Sequence, residues 1–178
     1  METTLTSKNL FTGKVLTLTL DTVALDNGSE ASREVIRHKG ACCVIPLTDD
    51  GKVICVKQYR YPYAEELIEI PAGKLDPGES PETCARRELK EETGAAAEKL
   101  TYLGCYYGSP AILDERIHMY LAEDLTFGEQ HLDEDEFLSV EAYPIETLVN
   151  LILEGKIPDG KTQAAVLRAY LMRKEKQS

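Results

Sequence analysis

The stretch GKLDPGESPETCARRELKEETGA, residues 73–95, decides the fold of this 178-residue chain. Within it, Glu88, Glu91 and Glu92 are spaced i, i+3 and i+4, so at about 100° per residue they share one stripe of an α-helix. Their mutual repulsion destabilises an isolated helix, which indicates that the cluster binds a cation. A set of oxygen ligands suits Mg²⁺ or Mn²⁺, which bind a few carboxylates together with substrate phosphates.

The same stretch contains the signals that begin and end the helix. Ser80 can accept a hydrogen bond from a free N–H group at the start, and the proline after it fits the first helical position. Gly94 can adopt the left-handed conformation that ends a helix. We therefore predict a helix over 81–93, with Ala85 and Leu89 facing the core.

The order of residues in this stretch resembles the Nudix box of the Nudix hydrolases. The one departure is Ala95, where the family has a larger aliphatic residue, and this affects a packing contact only. The alternative is an amphipathic helix with a solvated Glu/Lys face, which the spacing and the preceding loop disfavour. The polar and glycine positions that match the box are Gly73, Glu79, Arg87, Glu88, Glu91, Glu92 and Gly94.

The resemblance implies a role for each residue of the metal site. Glu88 and Glu92 are expected as the principal metal ligands, and Glu91 and Glu79 as assisting ligands. The backbone carbonyl of Ala72, just before the box, is expected to face a metal. The implied cofactor is Mg²⁺, with Mn²⁺ as an alternative, at two to three ions per site.

Two further box residues are expected to have structural roles. Arg87 cannot bind a metal, and the family pattern implies that it pairs with an acidic neighbour such as Glu79. Gly73 and Gly94 are expected to allow the tight loop before the helix and the stop after it.

Beyond the box, the chain resembles the ADP-ribose pyrophosphatase branch of the family. VKQYRYPYAEELIEIPAGKLDPGE (56–79) is similar to the strand and loop before the box, and GKIPDGKTQAAVLRAYL (155–171) is similar to the C-terminal helix. Pro110, in a loop after the box, is a marker of members that hydrolyse ADP-ribose. The resemblance implies Mg²⁺-dependent hydrolysis of ADP-ribose to AMP and ribose 5-phosphate.

Three other functions are alternatives to this one. A pyrophosphatase acting more broadly on nucleoside-diphosphate sugars is the main alternative, because the box itself selects only the pyrophosphate. A non-catalytic nucleotide sensor is disfavoured by the intact box. Removal of an RNA cap or terminal pyrophosphate is disfavoured by the acidic composition and the lack of a basic patch.

The resemblance also suggests residues that bind the substrate. Arg60 is expected to contact the phosphates, since guanidinium groups bind phosphate in a bidentate manner, although a salt bridge at a strand end is the alternative. Glu69 faces opposite to its neighbours by strand alternation, so we expect it near the substrate or a metal ligand. Arg37 is expected to reach into the site of a second subunit, and Pro110 to line the substrate site.

The catalytic base is expected in an acidic loop after the box. That loop is Asp133-Glu134-Asp135-Glu136, and comparison with the family favours Glu136, with Glu134 as the second candidate. Glu91 is a further catalytic candidate within the box. The alternative is an acidic loop that only aids solubility.

Composition limits the partners and the location. The net charge of −11 argues against nucleic acid and anionic membranes as partners. A small phosphorylated substrate is still compatible with this net charge, because bound metals reverse the local charge.

Residues 1–13 lack the apolar segment of a signal peptide, and no run approaches the ~18 apolar residues of a membrane span. The five cysteines are scattered without a C-x-x-C spacing, which favours reduced thiols in the cytoplasm.

The pattern of strands and helices along the rest of the sequence predicts an α/β fold. Residues 1–40 are predicted to form a small antiparallel β-hairpin, and residues 41–178 to form the Nudix domain, which in the family is an α/β/α sandwich with a mixed sheet. Apolar alternation in the hairpin suggests a homodimer with strands that are exchanged between subunits. The strands are predicted at 14–24, 33–38, 41–47, 52–59, 66–70, 98–107, 116–122 and 137–142, with 41–59 as a buried hairpin, and further helices at 144–154 and 160–175.

Overall fold

A computed structural model describes residues 1–132 and 137–177, with backbone alone at 176 and 177. The chain divides into two compact units. The N-terminal unit consists of residues 1–40 and 107–116, and the main unit consists of residues 41–106 and 117–178.

The N-terminal unit is built on an antiparallel sheet of three strands in the order β1-β2-β3. The strands are β1 (Thr3–Thr12), β2 (Leu16–Ala24) and β3 (Glu30–His38). The β2–β3 pair confirms the predicted hairpin. Strand β1 was missed, because its sequence lacks a regular apolar alternation and all its residues are exposed.

The main unit contains two sheets and three helices. A mixed sheet has the order β7-β4-β9-β8, in which β4 and β9 are parallel, and a second, antiparallel sheet has the order β10-β5-β6. The elements are β4 (Ala41–Pro46), β5 (Lys52–Arg60), β6 (Glu65–Glu69), β7 (Ala72–Lys74), α1 (Pro81–Thr93), β8 (Ala95–Tyr106), β9 (Ile117–Phe127), β10 (Leu138–Pro144), α2 (Ile145–Leu153) and α3 (Gly160–Gln177).

The predicted hairpin over 41–59 is wrong. Strand β4 pairs with β7 and β9, whereas β5 pairs with β6 and β10, and an isolated bridge between Leu47 and Val53 joins the two segments. Both strands are continuous apolar runs, and such runs do not specify which neighbour they pair with. The turn at 49–51 therefore connects two sheets instead of two partners in one sheet.

Strand β4 separates two apolar clusters, because successive side chains point to opposite faces. On one face, Cys42 and Val44 pack with Ala85 and Leu89 of α1. On the other face, Cys43 and Ile45 share a cluster with residues of α2 and α3, including Leu148 and Val166. Ala85 and Leu89 are fully buried, which confirms the predicted core face of α1. The mixed sheet therefore lies between helices, with α1 on one side.

Two predictions from composition can be compared with the structure. All five cysteines are free, and those at 42, 43, 55 and 84 are buried. No helix in the described part of the chain is long and apolar enough to cross a membrane.

Candidate active site

Helix α1 has the ends that the sequence predicts. Ser80 Oγ accepts a hydrogen bond from the Thr83 backbone N–H at 3.1 Å, and Pro81 is the first helical residue. At the other end, Gly94 has φ 69°, and its N–H donates to the Lys90 carbonyl at 2.8 Å. These two caps mark the ends of α1 at Pro81 and Thr93.

Two of the box glutamates lie against the backbone of β7. Glu88 is 7% exposed and Glu92 is 2% exposed. The Ala72 N–H donates to Glu92 Oε2 at 3.1 Å, and a Cβ added to Gly73 would fall 1.8 Å from Glu88 Oε1. Only glycine leaves room for the Glu88 carboxylate in this position, because the carboxylate occupies the space of a side chain. The predicted principal ligands, Ala72 and Gly73 therefore lie together.

Arg87 connects the loop before the helix with the acidic stripe. Its Nε and Nη2 donate to the two carboxylate oxygens of Glu79, each at 2.9 Å, and Nη2 also donates to the Lys74 carbonyl at 3.1 Å. Its Nη1 donates to Glu88 Oε1 at 2.7 Å and to Glu91 Oε2 at 2.9 Å. The predicted Arg87–Glu79 pair is present, and its hydrogen bonds lower the pKa of Glu79 to about 2. Glu79 is therefore a carboxylate at neutral pH.

Replacing Arg87 by lysine should destabilise the protein, because an ammonium group cannot reproduce the planar set of five donors. Losing hydrogen bonds to charged groups should lower the free energy of unfolding by about 1.5–3 kcal/mol. Urea unfolding in EDTA would measure this. Arg86→Lys is the matched control, since Arg86 pairs with Glu82 on the exposed helix surface. Equal losses in the two variants would contradict the role given to Arg87.

The donor set fits a hard divalent cation. Glu88, Glu91 and Glu92 supply carboxylate oxygens from α1, and Glu79 supplies one more carboxylate from the loop before it. Oxygen ligands suit Mg²⁺ and Mn²⁺. In the part of the chain that the structure describes, no group of three or more acidic, histidine or cysteine side chains is already placed to hold a metal. Because Glu88 and Glu91 face Arg87, binding a cation requires their carboxylates to turn.

Arg60 and Glu69 form an ion pair with each other. Arg60 Nε donates to Glu69 Oε1 and Nη2 donates to Glu69 Oε2, both at 2.6 Å. Glu69 is 1% exposed, whereas Arg60 is partly exposed. This is the salt bridge considered as the alternative for Arg60. A bidentate pair uses only part of the five guanidinium donors, so a phosphate contact by Arg60 stays a prediction.

A second cation at this pair was not foreseen from the sequence. Lys161 Nζ donates to Glu69 Oε2 and lies 3.1 Å from Asp159 Oδ1. The next residue, Thr162, accepts a hydrogen bond from the Ile70 N–H at 3.1 Å. The resemblance of 155–171 to a family helix does not predict this contact. The sequence shows only a lysine just inside a helix start, two residues after an aspartate, and this does not identify Glu69 as its partner.

Two predicted substrate residues belong to the N-terminal unit. Arg37 Nη2 donates to Asp21 Oδ2 at 2.6 Å, and its Nη1 donates to Asp114 Oδ2 at 3.4 Å. Pro110 lies in a turn in which the Leu113 N–H donates to the Ser109 carbonyl at 2.9 Å. The functions assigned to Arg37 and Pro110 stay predictions.

Glu134 and Glu136, the predicted bases, lie outside the described residues. The segment before them is bonded to α1. Gln130 Nε2 donates to the Glu92 carbonyl at 2.5 Å, and the His131 N–H donates to the Glu91 carbonyl at 3.0 Å. Residues 130 and 131 therefore lie beside the helix that bears the carboxylate stripe. No sequence pattern predicts these two contacts.

Comparison with known families agrees with this geometry. Residues 36–166 match the model of the NUDIX domain, which is most of the chain. The chain therefore belongs to the Nudix family, and it is a Nudix hydrolase.

Individual relatives span nearly the whole chain. The ADP-ribose pyrophosphatase of Bacillus subtilis (strain 168) is 44% identical over 176 residues, which cover 98% of this chain and 94% of that protein. The methanol dehydrogenase activator of Bacillus methanolicus is 42% identical, covering 93% of this chain and 90% of that protein. A solved structure described as an ADP compounds hydrolase superposes with a TM-score of 0.86 at 23% identity, covering 98% and 95% of the two chains. This likeness confirms the predicted fold class.

Proposed function

We propose that the protein hydrolyses the pyrophosphate bond of ADP-ribose, giving AMP and ribose 5-phosphate. The observation that supports it most is the packing of Glu88 and Glu92, two glutamates of the box, against Ala72 and Gly73 of β7. The choice of ADP-ribose is supported by the similarity to the Bacillus subtilis enzyme along nearly the whole chain.

The metal site is proposed on the residues around α1. Glu88 and Glu92 would hold the metal, with help from Glu91, Glu79 and the Ala72 carbonyl. We propose Mg²⁺, or Mn²⁺ in its place, at two to three ions per site. Such ions neutralise pyrophosphate charge and lower the pKa of a bound water.

The substrate is proposed to be oriented by cationic side chains. Arg60 would donate hydrogen bonds to the pyrophosphate oxygens from the part of its guanidinium that does not face Glu69. Glu69 would hold Arg60 in place, since it accepts two hydrogen bonds from it. Arg37 and Pro110 are proposed as substrate-binding residues, Arg37 by reaching into the site of a second subunit.

The proton step is assigned to the acidic loop. As the water oxygen bonds to one phosphorus and the bond from that phosphorus to the bridging oxygen breaks, a carboxylate accepts the proton of the water. Glu136 is the proposed base, and Glu134 and Glu91 are the other candidates.

Changing Glu136 to glutamine should lower kcat about 10²–10⁴-fold with little change in KM, because general-base catalysis contributes that much. Steady-state kinetics with ADP-ribose would measure it. Glu134→Gln is the matched control, since it makes the same change two residues away. A fully active Glu136→Gln variant would move the base to Glu134 or Glu91.

Substrate choice is tested by a panel of pyrophosphates with Mg²⁺. The panel is ADP-ribose, ADP-glucose, GDP-mannose, FAD, dinucleoside polyphosphates and a capped RNA, compared by kcat/KM. The highest value for ADP-ribose is the expected result. Similar values for several sugars would instead establish the broader nucleoside-diphosphate-sugar pyrophosphatase. Tight nucleotide binding without turnover would establish a nucleotide sensor.

The N-terminal unit is proposed to form a homodimer with exchanged strands. The support is the large apolar side chains that stay exposed on and beside β1, which are Leu5, Leu10, Phe11 and Val15. Light scattering after size exclusion would test this, and a monomer mass at micromolar concentration would contradict it.

The free cysteines support the further proposal that the protein works in the cytoplasm.

A further inference from the structure

Four charged side chains form a chain of contacts beside the carboxylate site. Arg60 donates to Glu69, Glu69 accepts from Lys161, and Lys161 lies beside Asp159. The exposed fraction of the side chain differs among the four: it is 2% for Glu69, 12% for Lys161, 18% for Asp159 and 36% for Arg60. Arg60 is therefore the member of this chain that a substrate can reach most easily.

The charges in this chain balance. Arg60 and Lys161 are positive, and Glu69 and Asp159 are negative. Burial disfavours the ionised form of Glu69, but the hydrogen bonds from Arg60 and the charge of Lys161 hold its pKa below the ordinary value. If Lys161 were neutral, Arg60 alone would face two carboxylates and the group would have a net charge of −1. A negative group next to Arg60 would repel an anionic pyrophosphate.

The backbone around Lys161 is fixed from both sides. Asp159 Oδ2 accepts a hydrogen bond from the Thr162 N–H at 3.0 Å, as the residue before a helix does. Thr162 Oγ1 accepts from the Ile70 N–H, next to Glu69. The start of α3 is thus bonded to the chain segment that leads into the Nudix loop. These backbone hydrogen bonds hold residue 161 close to Glu69, so the Lys161 ammonium contacts the Glu69 carboxylate.

We infer that Lys161 is a positioning residue for the substrate: its charge offsets Glu69 and Asp159 from the buried side, so that Arg60 stays oriented and positive toward the pyrophosphate. Lys161 itself, being buried, acts through Glu69 and Arg60. This inference rests on the proposed function, in which Arg60 contacts the pyrophosphate. Within the described residues, no hydrogen bond from Arg60 Nη1 to another residue competes with that contact.

Substrate binding to variants tests this inference, and it can be measured apart from turnover. In a Glu136→Gln background with Mg²⁺, which keeps the metal ligands, titration calorimetry gives the Kd of ADP-ribose. Lys161→Met should raise this Kd roughly tenfold, which corresponds to about 1.4 kcal/mol. Lys161→Arg should stay within about threefold of the parent, because it keeps the charge.

A second variant removes the opposing charge. Asp159→Asn keeps a residue that caps a helix well, and combined with Lys161→Met it restores neutrality, so the Kd should return to within about threefold of the parent. Alone, Asp159→Asn should bind ADP-ribose as tightly or more tightly. Lys156→Met is the matched control, since Lys156 pairs with Glu154 on the surface and its loss changes the net charge equally.

The outcomes separate this inference from the proposed function. An unchanged Kd in Lys161→Met, or a Kd raised equally by Lys156→Met, would overturn the inference. The inference would also be overturned if Lys161→Arg bound ADP-ribose as weakly as Lys161→Met and if adding Asp159→Asn to Lys161→Met did not restore the Kd. That result would indicate a structural role only. If Lys161→Met fails to fold, weaker binding by Asp159→Asn alone would overturn it. Failure of the proposed function would appear separately, as absent hydrolysis of ADP-ribose by the unchanged protein.

Discussion

The Glu92→Gln variant is expected to lose about a thousandfold or more of the ADP-ribose hydrolase activity while keeping its fold. Metal ions contribute several kcal/mol to such reactions, and about 4 kcal/mol corresponds to a thousandfold in rate. Glutamine removes the negative charge that would hold the metal. Its amide oxygen can still accept the hydrogen bond that the Ala72 N–H donates to Glu92. The local structure should therefore survive the loss of charge.

Steady-state kinetics with Mg²⁺ and thermal unfolding in EDTA would separate the two effects. The control is Glu98→Gln, which makes the same chemical change at an exposed position of β8. We expect the control to be as active as the unchanged protein. Activity of Glu92→Gln within about tenfold of the unchanged protein, well short of the loss of several kcal/mol expected of a metal ligand, would contradict its assignment.

The second large effect is expected for Gly73→Ala. An added Cβ would lie 1.8 Å from Glu88 Oε1 and 1.9 Å from its Cδ, so the carboxylate must move. Glu88 can rotate at modest cost, and alanine restricts the unfolded chain, so the free energy of unfolding should change by no more than about 1 kcal/mol. The added Cβ would also limit the positions open to the Glu88 carboxylate beside β7, so metal binding should weaken and the activity should fall about a hundredfold.

Gly128→Ala is a suitable control for this change. A Cβ on Gly128 would lie 3.7 Å from the nearest atom, the Gly94 carbonyl oxygen, which is ordinary contact. Kinetics as a function of Mg²⁺ concentration would add a second measurement, because weaker metal binding should raise the Mg²⁺ needed for half-maximal activity. If Gly73→Ala kept full activity with an unchanged Mg²⁺ requirement, Glu88 would not be a principal ligand.

The part of the site that lies within residues 72–94 follows from the sequence. Helix caps, glycines and glutamate spacing act over a few residues, so Ser80, Gly94 and the Arg87–Glu79 pair could be predicted from local rules. The same rules give the buried face of α1, because helical periodicity relates residues one turn apart.

Other features depend on contacts between distant parts of the chain. The partners of β4 and β5 could not be chosen, because two apolar runs fit several sheet neighbours equally well. The contact of Lys161 with Glu69 joins residues 92 positions apart. The contact of Gln130 with the end of α1 is also made between separate elements. Spacing along the sequence contains no information about such pairs.

The most direct test is the product pattern from ADP-ribose. Protein stripped of metal by EDTA would be incubated with ADP-ribose before and after Mg²⁺ is restored, and the products would be resolved by chromatography. We predict AMP and ribose 5-phosphate in equal amounts with Mg²⁺ and none without it. Absence of both products at saturating Mg²⁺, or equal hydrolysis in EDTA, would contradict the assignment of this chain as a metal-dependent ADP-ribose pyrophosphatase.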